Sequence, residues 1–235
     1  MRMKLVLAAA AFAAVIVAAA AFAGPIEDLE QGKDFWFLMI DKTGAAIGYQ
    51  HDVYAKDTWD GKPALKLTRT AMDKVYSSWS MEVIRDHHNP LYSLTLKTNA
   101  STIGAKATVA GWEYTKDGKT QPLQPGHIDY FSYDDQGIGE RVNQTPVGQA
   151  KHLRVWDVRD GTAHDWTVTN KGPKETSYDG KKIPAFEYEV MDAGGKTIVH
   201  VMKDTWVPID IRNPHGDSIK RVSKEEVQKA FPNAK

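Results

Sequence analysis

Five turn dipeptides divide this chain into short segments and restrict the folds that it can adopt. They are Asp60-Gly61, Asp117-Gly118, Asp160-Gly161, Asp179-Gly180 and Gly194-Gly195. Asp-Gly and Gly-Gly accept the positive φ angles that two-residue hairpin turns require. Each dipeptide lies between runs rich in β-branched and aromatic residues, the pattern of paired strands. Repeated hairpins place each strand beside its neighbour in the sequence, so we expect an antiparallel meander.

The segments between these turns alternate apolar and polar residues with a period of two. In residues 79–83, Trp79, Met81 and Val83 share one face while the serine and the glutamate share the other. The fold class is therefore predicted to be all-β, as a single curved antiparallel meander sheet or half-barrel. The pattern also predicts one strand over Ala105–Tyr114.

Two segments depart from this alternation. Pro122–Gln149 is rich in Gly, Pro and Asp and is expected to close part of the sheet as a long loop. Near the end of the chain, Ser223 is followed three residues later by Glu226 and then by an apolar stripe. This capping box predicts a short C-terminal helix.

The first residues have the pattern of a cleaved secretory signal. Arg2 and Lys4 precede an apolar run that is slightly short for a bilayer span, and Ala21-Phe22-Ala23 supplies the small residues of a cleavage site. We expect cleavage after Ala23, a single domain over residues 24–235, a periplasmic location and no stable membrane anchor. A retained N-terminal anchor is the alternative.

Composition excludes several classes of function. The chain has no cysteine, which rules out disulfides, thiol catalysis and thiolate metal ligands. Removal of residues 1–23 leaves 28 basic and 30 acidic residues, a balance without the basic excess of nucleic-acid-binding domains. We expect no nucleic acid partner.

No motif specific to a reaction is present. The sequence lacks Gly-x-Ser-x-Gly, His-Glu-x-x-His, the P-loop and the dinucleotide fingerprint. The carboxylate pairs Asp134-Asp135 and Glu225-Glu226 are expected at solvated positions, where neither acid would acquire a raised pKa. No catalytic residue is predicted.

The eight histidines are scattered, and only His87 and His88 are adjacent. The turn formers Asp86, Asn89 and Pro90 surround that pair, which predicts a hairpin tip rather than a metal site. No metal ligand and no cofactor are predicted, although histidines of separate strands could converge in the fold. His200 alternates with apolar residues and is the best candidate for a buried histidine.

Aromatic residues are the strongest indication of a ligand site. Large rings usually fill β cores, but a curved sheet can also leave a concave apolar pocket for a small molecule. The predicted ligand-binding residues are Trp79, Tyr92, Trp112, Tyr130, Phe131, Trp156 and Trp166.

Two stretches resemble known exported bacterial proteins. Gly48-Tyr49 opening a strand, followed by the turn from Asp86 to Leu91, resembles the curved antiparallel meander of periplasmic proteins of unknown function. The stretch "DTWVPIDIRNPHGDSIKRV" at residues 204–222 is similar to the last strands of lipoprotein-carrier proteins of the outer-membrane lipoprotein-sorting type. The resemblance implies a half-barrel with an apolar concavity partly covered by helices, and it assigns no site residue.

Together these features favour a non-catalytic function. The leading hypothesis is a periplasmic binding or carrier protein for an apolar or amphiphilic, lipid-like ligand, since an open curved sheet must cover its apolar face. One alternative is an envelope structural or interaction module that engages another envelope protein. The other alternative is a metal-dependent enzyme with histidines from separate strands.

Overall fold

The computed structural model describes residues 33–73, 78–85, 91–109, 111–123, 130–132, 142, 144–159, 161–202 and 207–234. Residues 1–23, with the expected signal sequence, and residues 86–90, with the two adjacent histidines, lie outside this part, as do Asp134 and Asp135. The described residues form fifteen strands and the helix α1. They are β1 Asp34–Ile40, β2 Ala46–Trp59, β3 Lys62–Met72, β4 Trp79–Arg85, β5 Leu91–Thr98, β6 Thr102–Thr108, β7 Gly111–Lys116, β8 Lys119–Pro122, β9 Tyr130–Phe131, β10 Ala150–Asp157, β11 Thr162–Tyr178, β12 Lys181–Asp192, β13 Gly195–Met202, β14 Pro208–Arg212, β15 Ser218–Val222 and α1 Lys224–Ala230.

All fifteen strands belong to one sheet, in the order β8-β7-β6-β5-β4-β3-β2-β1-β15-β14-β13-β12-β11-β10-β9. Two meanders, β1 to β8 and β10 to β15, are joined where β1 pairs with β15. Neighbouring strands are antiparallel, except that the two-residue β9 runs parallel to β10. The prediction of a curved antiparallel sheet with a short C-terminal helix is confirmed.

The Asp-Gly turns have the backbone that their residues predicted. Both turn residues have positive φ at Asp60-Gly61 (47° and 76°), Asp117-Gly118 (50° and 78°) and Asp179-Gly180 (50° and 68°). This is the geometry of a type I′ turn, whose twist matches that of the flanking strands.

One predicted strand is wrong. Ala105–Tyr114 is not continuous, since β6 ends at Thr108 and β7 begins at Gly111, which pairs back with Thr108. Gly111 has a φ of 127°, a conformation in which other residues are strained. The glycine therefore turns the chain where the alternation of apolar residues suggested a single strand.

The interior of the sheet is filled by side chains in two cores. The first lies mainly on β1 to β7 and includes Phe37, Tyr54, Leu94 and Met81. The second lies on β10 to β13 and includes Val155 and other apolar residues, with Leu153, Val168, Phe186, Tyr188 and Val201. The described residues of the predicted closing segment take part, since Leu123 and Phe131 belong to the first core and Val142 to the second.

Aromatic packing joins the two ends of the strand order. The ring centroids of Trp112 on β7 and Phe131 on β9 are 4.4 Å apart, and those of Tyr114 and Trp156 on β10 are 6.1 Å apart. The Tyr114 hydroxyl also donates to the Val158 carbonyl at 3.4 Å. We call this contact the seam. It curves the sheet into a barrel-like shape through side chains, while the strand order stays open.

Helix α1 packs on the opposite face of β1. The side chains of β1 alternate, so Phe35 and Phe37 enter the first core while Trp36 and Leu38 meet Val227 of the helix. The Ser223 Oγ accepts a hydrogen bond from the Glu226 amide at 3.2 Å, as the capping box predicted. Among the described residues, no helix is long and apolar enough to cross a bilayer.

Candidate functional site

A two-stranded arm projects from the sheet and covers part of the face that carries α1. β11 pairs with β10 only as far as Thr169, and β12 pairs with β13 only from Ala185 onward. Within the described residues, Gly172–Tyr178 of β11 and Lys181–Pro184 of β12 therefore have a strand neighbour on one side only, and the two strands join at the turn Asp179-Gly180. A bulge between Asn170 and Gly172 marks the base of this arm.

A large cavity lies beneath the arm. It has a volume of about 750 Å³ and is bounded by the arm, β12 to β15 and α1, within the range of small-molecule sites. Ten of its fifteen described lining residues are ionisable, and Ile209 and Val222 are its only aliphatic members. We call this cavity the cleft, and it is suited to a polar ligand.

A row of polar side chains crosses the strands beneath the arm. The strand register aligns Glu187 with His200, His200 with Asp210, and Asp210 with Lys220. Lys220 in turn pairs with Leu38, which packs on α1, so this row lies on the helix-bearing face. His200 and Asp210 are buried, with exposed fractions of 8% and 4%.

Carboxylates face both nitrogens of the His200 ring. Nε2 lies 3.0 Å from the Glu187 carboxylate and Nδ1 lies 3.5 Å from Asp210 Oδ2. The second distance is long for a hydrogen bond, so charge attraction dominates there. Arg212 Nε donates to Asp210 Oδ2 at 2.8 Å, and Lys174 of the arm lies 3.8 Å from Glu187.

These contacts shift the pKa values of the two buried members of the row. The contact with Asp210 raises the pKa of His200; burial opposes this, and Glu187 adds to the increase. For Asp210, burial raises the pKa, but the contacts with His200 and Arg212 outweigh it and the net pKa is lowered. Two flanking carboxylates favour the doubly protonated imidazolium. Such a ring has no free lone pair and is unsuited to act as a general base.

The row does not have the geometry of a metal site. Glu187 and Asp210 lie against different nitrogens of one imidazole ring, on opposite sides of it, so they cannot converge on one ion. Within the described ranges, no group of three His, Asp or Glu side chains is arranged to hold a metal.

The predicted aromatic site residues do not gather in one place. Trp112, Phe131 and Trp156 lie at the seam, while Trp79 is buried in the first core and donates to Asp73 Oδ2 at 2.7 Å. Tyr130 lies on β9. None of the other six lines the cleft. Their role in ligand binding stays a prediction.

Two of the predicted residues have other surroundings. Tyr92 stacks on Trp59 with ring centroids 5.8 Å apart, outside both interior cores. Trp166 packs on the second core and lines a smaller cavity of about 300 Å³ with His164, Arg159 and Asp192. Trp166, one of the predicted ligand-binding residues, thus borders a cavity.

The sequence patterns do not predict most of the residues that line the cleft. His200 was correctly predicted to be buried, but Glu187, Asp210 and the residues of the arm were not identified. A usable signal is present in "FEYEV", "TIVHVM" and "VPIDIR", where Glu187, His200 and Asp210 each stand between two apolar or aromatic residues. Such residues are rarely buried unless they are paired, and the three runs predict mutual pairing once the strands are adjacent.

Comparison with known proteins gives only distant structural neighbours. No family profile matches the sequence, and no curated protein is significantly similar to it. A beta-barrel-like protein of domain of unknown function DUF1849 from Brucella abortus aligns with 80% of this chain and 93% of its own, at 9% identity and a TM-score of 0.48. A DUF1089 family protein from Pseudomonas aeruginosa aligns with 70% and 89%, at 13% identity and a TM-score of 0.42.

Both neighbours are bacterial proteins of low identity to this chain. Neither likeness bears on the site. The resemblance to lipoprotein carriers is not shown by these comparisons and stays a prediction.

Proposed function

We propose that this chain is a non-catalytic binding protein of the bacterial periplasm, and that the cleft takes the polar part of a small ligand. The observation that carries this proposal is the cleft itself, a cavity of about 750 Å³ with buried charged residues on its floor and a two-stranded arm above it. The periplasmic location rests on the N-terminal sequence pattern.

The chemistry of the cleft supports binding rather than catalysis. His200 faces two carboxylates and has no free ring nitrogen for proton abstraction. The basic lining residues Lys174, Arg212, Lys220 and Arg221 are balanced by five carboxylates. This distribution suits a ligand with hydrogen-bonding or charged groups and gives no strong preference for one sign of net charge.

A carrier for an apolar or amphiphilic ligand is the second candidate, and the seam favours it. In the described residues the two ends of the strand order meet through Trp112, Tyr114, Phe131 and Trp156 without ladder hydrogen bonds between them. Separation of these rings would open the aromatic interior without breaking a strand pair. In the structure that interior is filled, which is why we place the ligand in the cleft first.

Native mass spectrometry of protein taken from the envelope of its host, without chelator, tests both candidates. The variant Ser177→Trp places a large side chain on the arm inside the cleft. Thr120→Trp makes the same kind of change on the exposed edge strand β8 and serves as the control.

We expect wild type and Thr120→Trp to retain a polar or amphiphilic adduct that Ser177→Trp loses. An adduct retained equally by Ser177→Trp would place the ligand elsewhere, and loss of that adduct from Phe131→Ala would then favour the seam. A bare mass for all three proteins, with no ligand recovered from the envelope fraction, would contradict the binding function.

A further inference from the structure

Arg221 lies where the cleft meets a second cavity. Together with Val222 it lines both the cleft and a neighbouring cavity of about 240 Å³, which Phe35, Trp36 and Tyr178 also border. Its position near the end of β15 brings the guanidinium beneath the tip of the arm, where Tyr178 is the last residue of β11. A ligand in the cleft therefore has direct access to this side chain.

Aromatic rings enclose the guanidinium. Its Cζ atom lies 4.4 Å from the centroid of the Phe35 ring and 4.6 Å from that of Tyr178, each in a cation–π contact. Nη1 also contacts the Met202 sulfur. These neighbours stabilise a cation through ring electrons and a weak sulfur acceptor, and they supply no negative charge.

Arg221 differs from four arginines of the described chain that form ion pairs. Arg69, Arg154, Arg159 and Arg212 each lie within 3.2 Å of an aspartate oxygen, whereas no carboxylate among the described residues lies within ion-pair distance of Arg221. Burial lowers the pKa of Arg221, and the neighbouring Tyr178 and Tyr54 hydroxyls oppose this. A partly buried cation without a counter-ion is costly, and an anionic ligand group would offset that cost.

From this arrangement we infer that Arg221 receives an oxyanion of the ligand, a carboxylate or a phosphate, at the junction of the two cavities. The inference rests on the proposed function of the cleft. The Met202 sulfur contacts Nη1 only, and the remaining N–H donors of the guanidinium form a fork that matches the geometry of carboxylate and phosphate oxygens. Because Tyr178 belongs to the arm, closure of the arm and binding of the oxyanion are coupled.

The direct test is an NMR titration of full-length mature protein labelled with ¹⁵N-arginine, which follows the Nε–Hε signal of each arginine. The signal of Arg221 is assigned by its disappearance in Arg221→Lys. The three titrants are sodium acetate, inorganic phosphate and dihexanoyl-phosphatidylglycerol. They present a carboxylate, a free phosphate and a phosphate in a lipid headgroup.

We expect the Arg221 signal to shift in a saturable manner while the signals of Arg154 and Arg159 stay in place. A shift with acetate or inorganic phosphate identifies a free oxyanion as sufficient, and a shift with the lipid alone identifies the headgroup as the source. Arg221→Gln should weaken binding of the responding titrant by about tenfold to a hundredfold, the loss of one charge-assisted bidentate contact. Lys220→Gln removes a cation from the same cleft and should weaken it far less.

Three outcomes would overturn the inference: no saturable shift of Arg221 with any titrant, equal shifts of all arginines, or equal losses in Arg221→Gln and Lys220→Gln. Circular dichroism melting of each variant confirms that it is folded. The native adduct separates this inference from the proposed function. An adduct kept by Arg221→Gln but lost by Ser177→Trp leaves the cleft as the site and refutes the oxyanion contact, whereas an adduct kept by both refutes both.

Discussion

Replacing Arg69 with methionine should destabilise the protein by about 3–5 kcal/mol, the usual cost of leaving a buried charge without its partner. Arg69 and Asp52 form a bidentate pair inside the sheet, with Nε–Oδ1 at 2.8 Å and Nη2–Oδ2 at 2.7 Å. Their exposed fractions are 4% and 1%. Gln50 donates a further hydrogen bond to Asp52 at 3.2 Å, but an amide does not neutralise a carboxylate.

The magnitude of this loss reports whether the interior of the sheet is closed. In a closed interior, Asp52 loses its bidentate contact with Arg69 and gains no solvent to replace it. In an interior open to solvent, the same pair would behave as an exposed ion pair, which contributes about 1 kcal/mol or less. The measurement therefore discriminates between a filled sheet with a polar cleft and an open, ligand-carrying concavity.

Equilibrium unfolding in urea of wild type and Arg69→Met gives the value, since urea does not screen charges as guanidinium does. Arg154→Met is the matched control, because Arg154 pairs with Asp165 at 3.2 Å on the exposed surface, and it should cost about 1 kcal/mol or less. The double variant Asp52→Asn/Arg69→Met should recover part of the loss because the buried carboxylate charge is removed together with its Arg69 contact. A cost for Arg69→Met as small as that of Arg154→Met would refute the closed interior.

Three further predictions concern the row, the arm and the seam. Because the pKa of His200 is raised, its stabilising contribution is complete below the unfolded value near 6.5 and is lost as pH rises through the folded pKa. The difference in unfolding free energy between wild type and His200→Gln should therefore shrink with rising pH. A difference that stays constant with pH would contradict the raised pKa. Gly172→Ala should lower the free energy of unfolding by about 1–2 kcal/mol and speed hydrogen exchange in the arm. The reason is that Gly172 has a φ of 90° and that a Cβ there would lie 2.8 Å from Val147 Cγ1. In the control Gly180→Ala, the new Cβ meets no atom within 4 Å, and exchange at the base of the arm should stay unchanged. Phe131→Ala should cost about 3–5 kcal/mol in urea unfolding, and a cost below that of Arg154→Met would show that the seam does not hold.

The parts of the fold that local chemistry determines were predictable. At Asp60-Gly61 and Asp179-Gly180 the residue types themselves select the turn, because each position needs a positive φ. The helix start at Ser223 is likewise local, since cap and amide lie three residues apart. In all these places the interacting groups are close in the sequence, so tertiary packing does not change the outcome.

Features that depend on distant residues were not predictable in the same way. The pairing of β1 with β15 joins residues such as Phe37 and Arg221, and no local pattern encodes that contact. The arm was missed because its strands are mostly exposed, so residues 172–184 lack the apolar alternation that identified the other strands. The false strand over Ala105–Tyr114 has the opposite cause, since its alternation continues through the turn at Gly111.

The predicted aromatic ligand site also depends on contacts between residues that are distant in the sequence. Large rings identify apolar surface, but at Trp79 and Phe131 that surface is core, and only the order of the strands determines which rings fill the interior. The cleft depends instead on Glu187, His200 and Asp210, which come from three strands and meet through the register. Glu187 and Asp210 alone each resemble an ordinary surface residue in the sequence, and His200 was predicted only to be buried, not to pair with them.

The arm and the charged row are energetically linked. In β13 and β14, His200 and Asp210 lie on the face opposite the interior core, a face that an open sheet would expose to solvent. They are nevertheless buried, and the arm above them contributes Lys174 to the row through Glu187. An arm that opened would expose both residues, weaken the contacts that raise the pKa of His200, and remove Tyr178 from Arg221. Conditions that deprotonate His200 should therefore favour the open arm, and a ligand that bridges the row and Arg221 should favour the closed one.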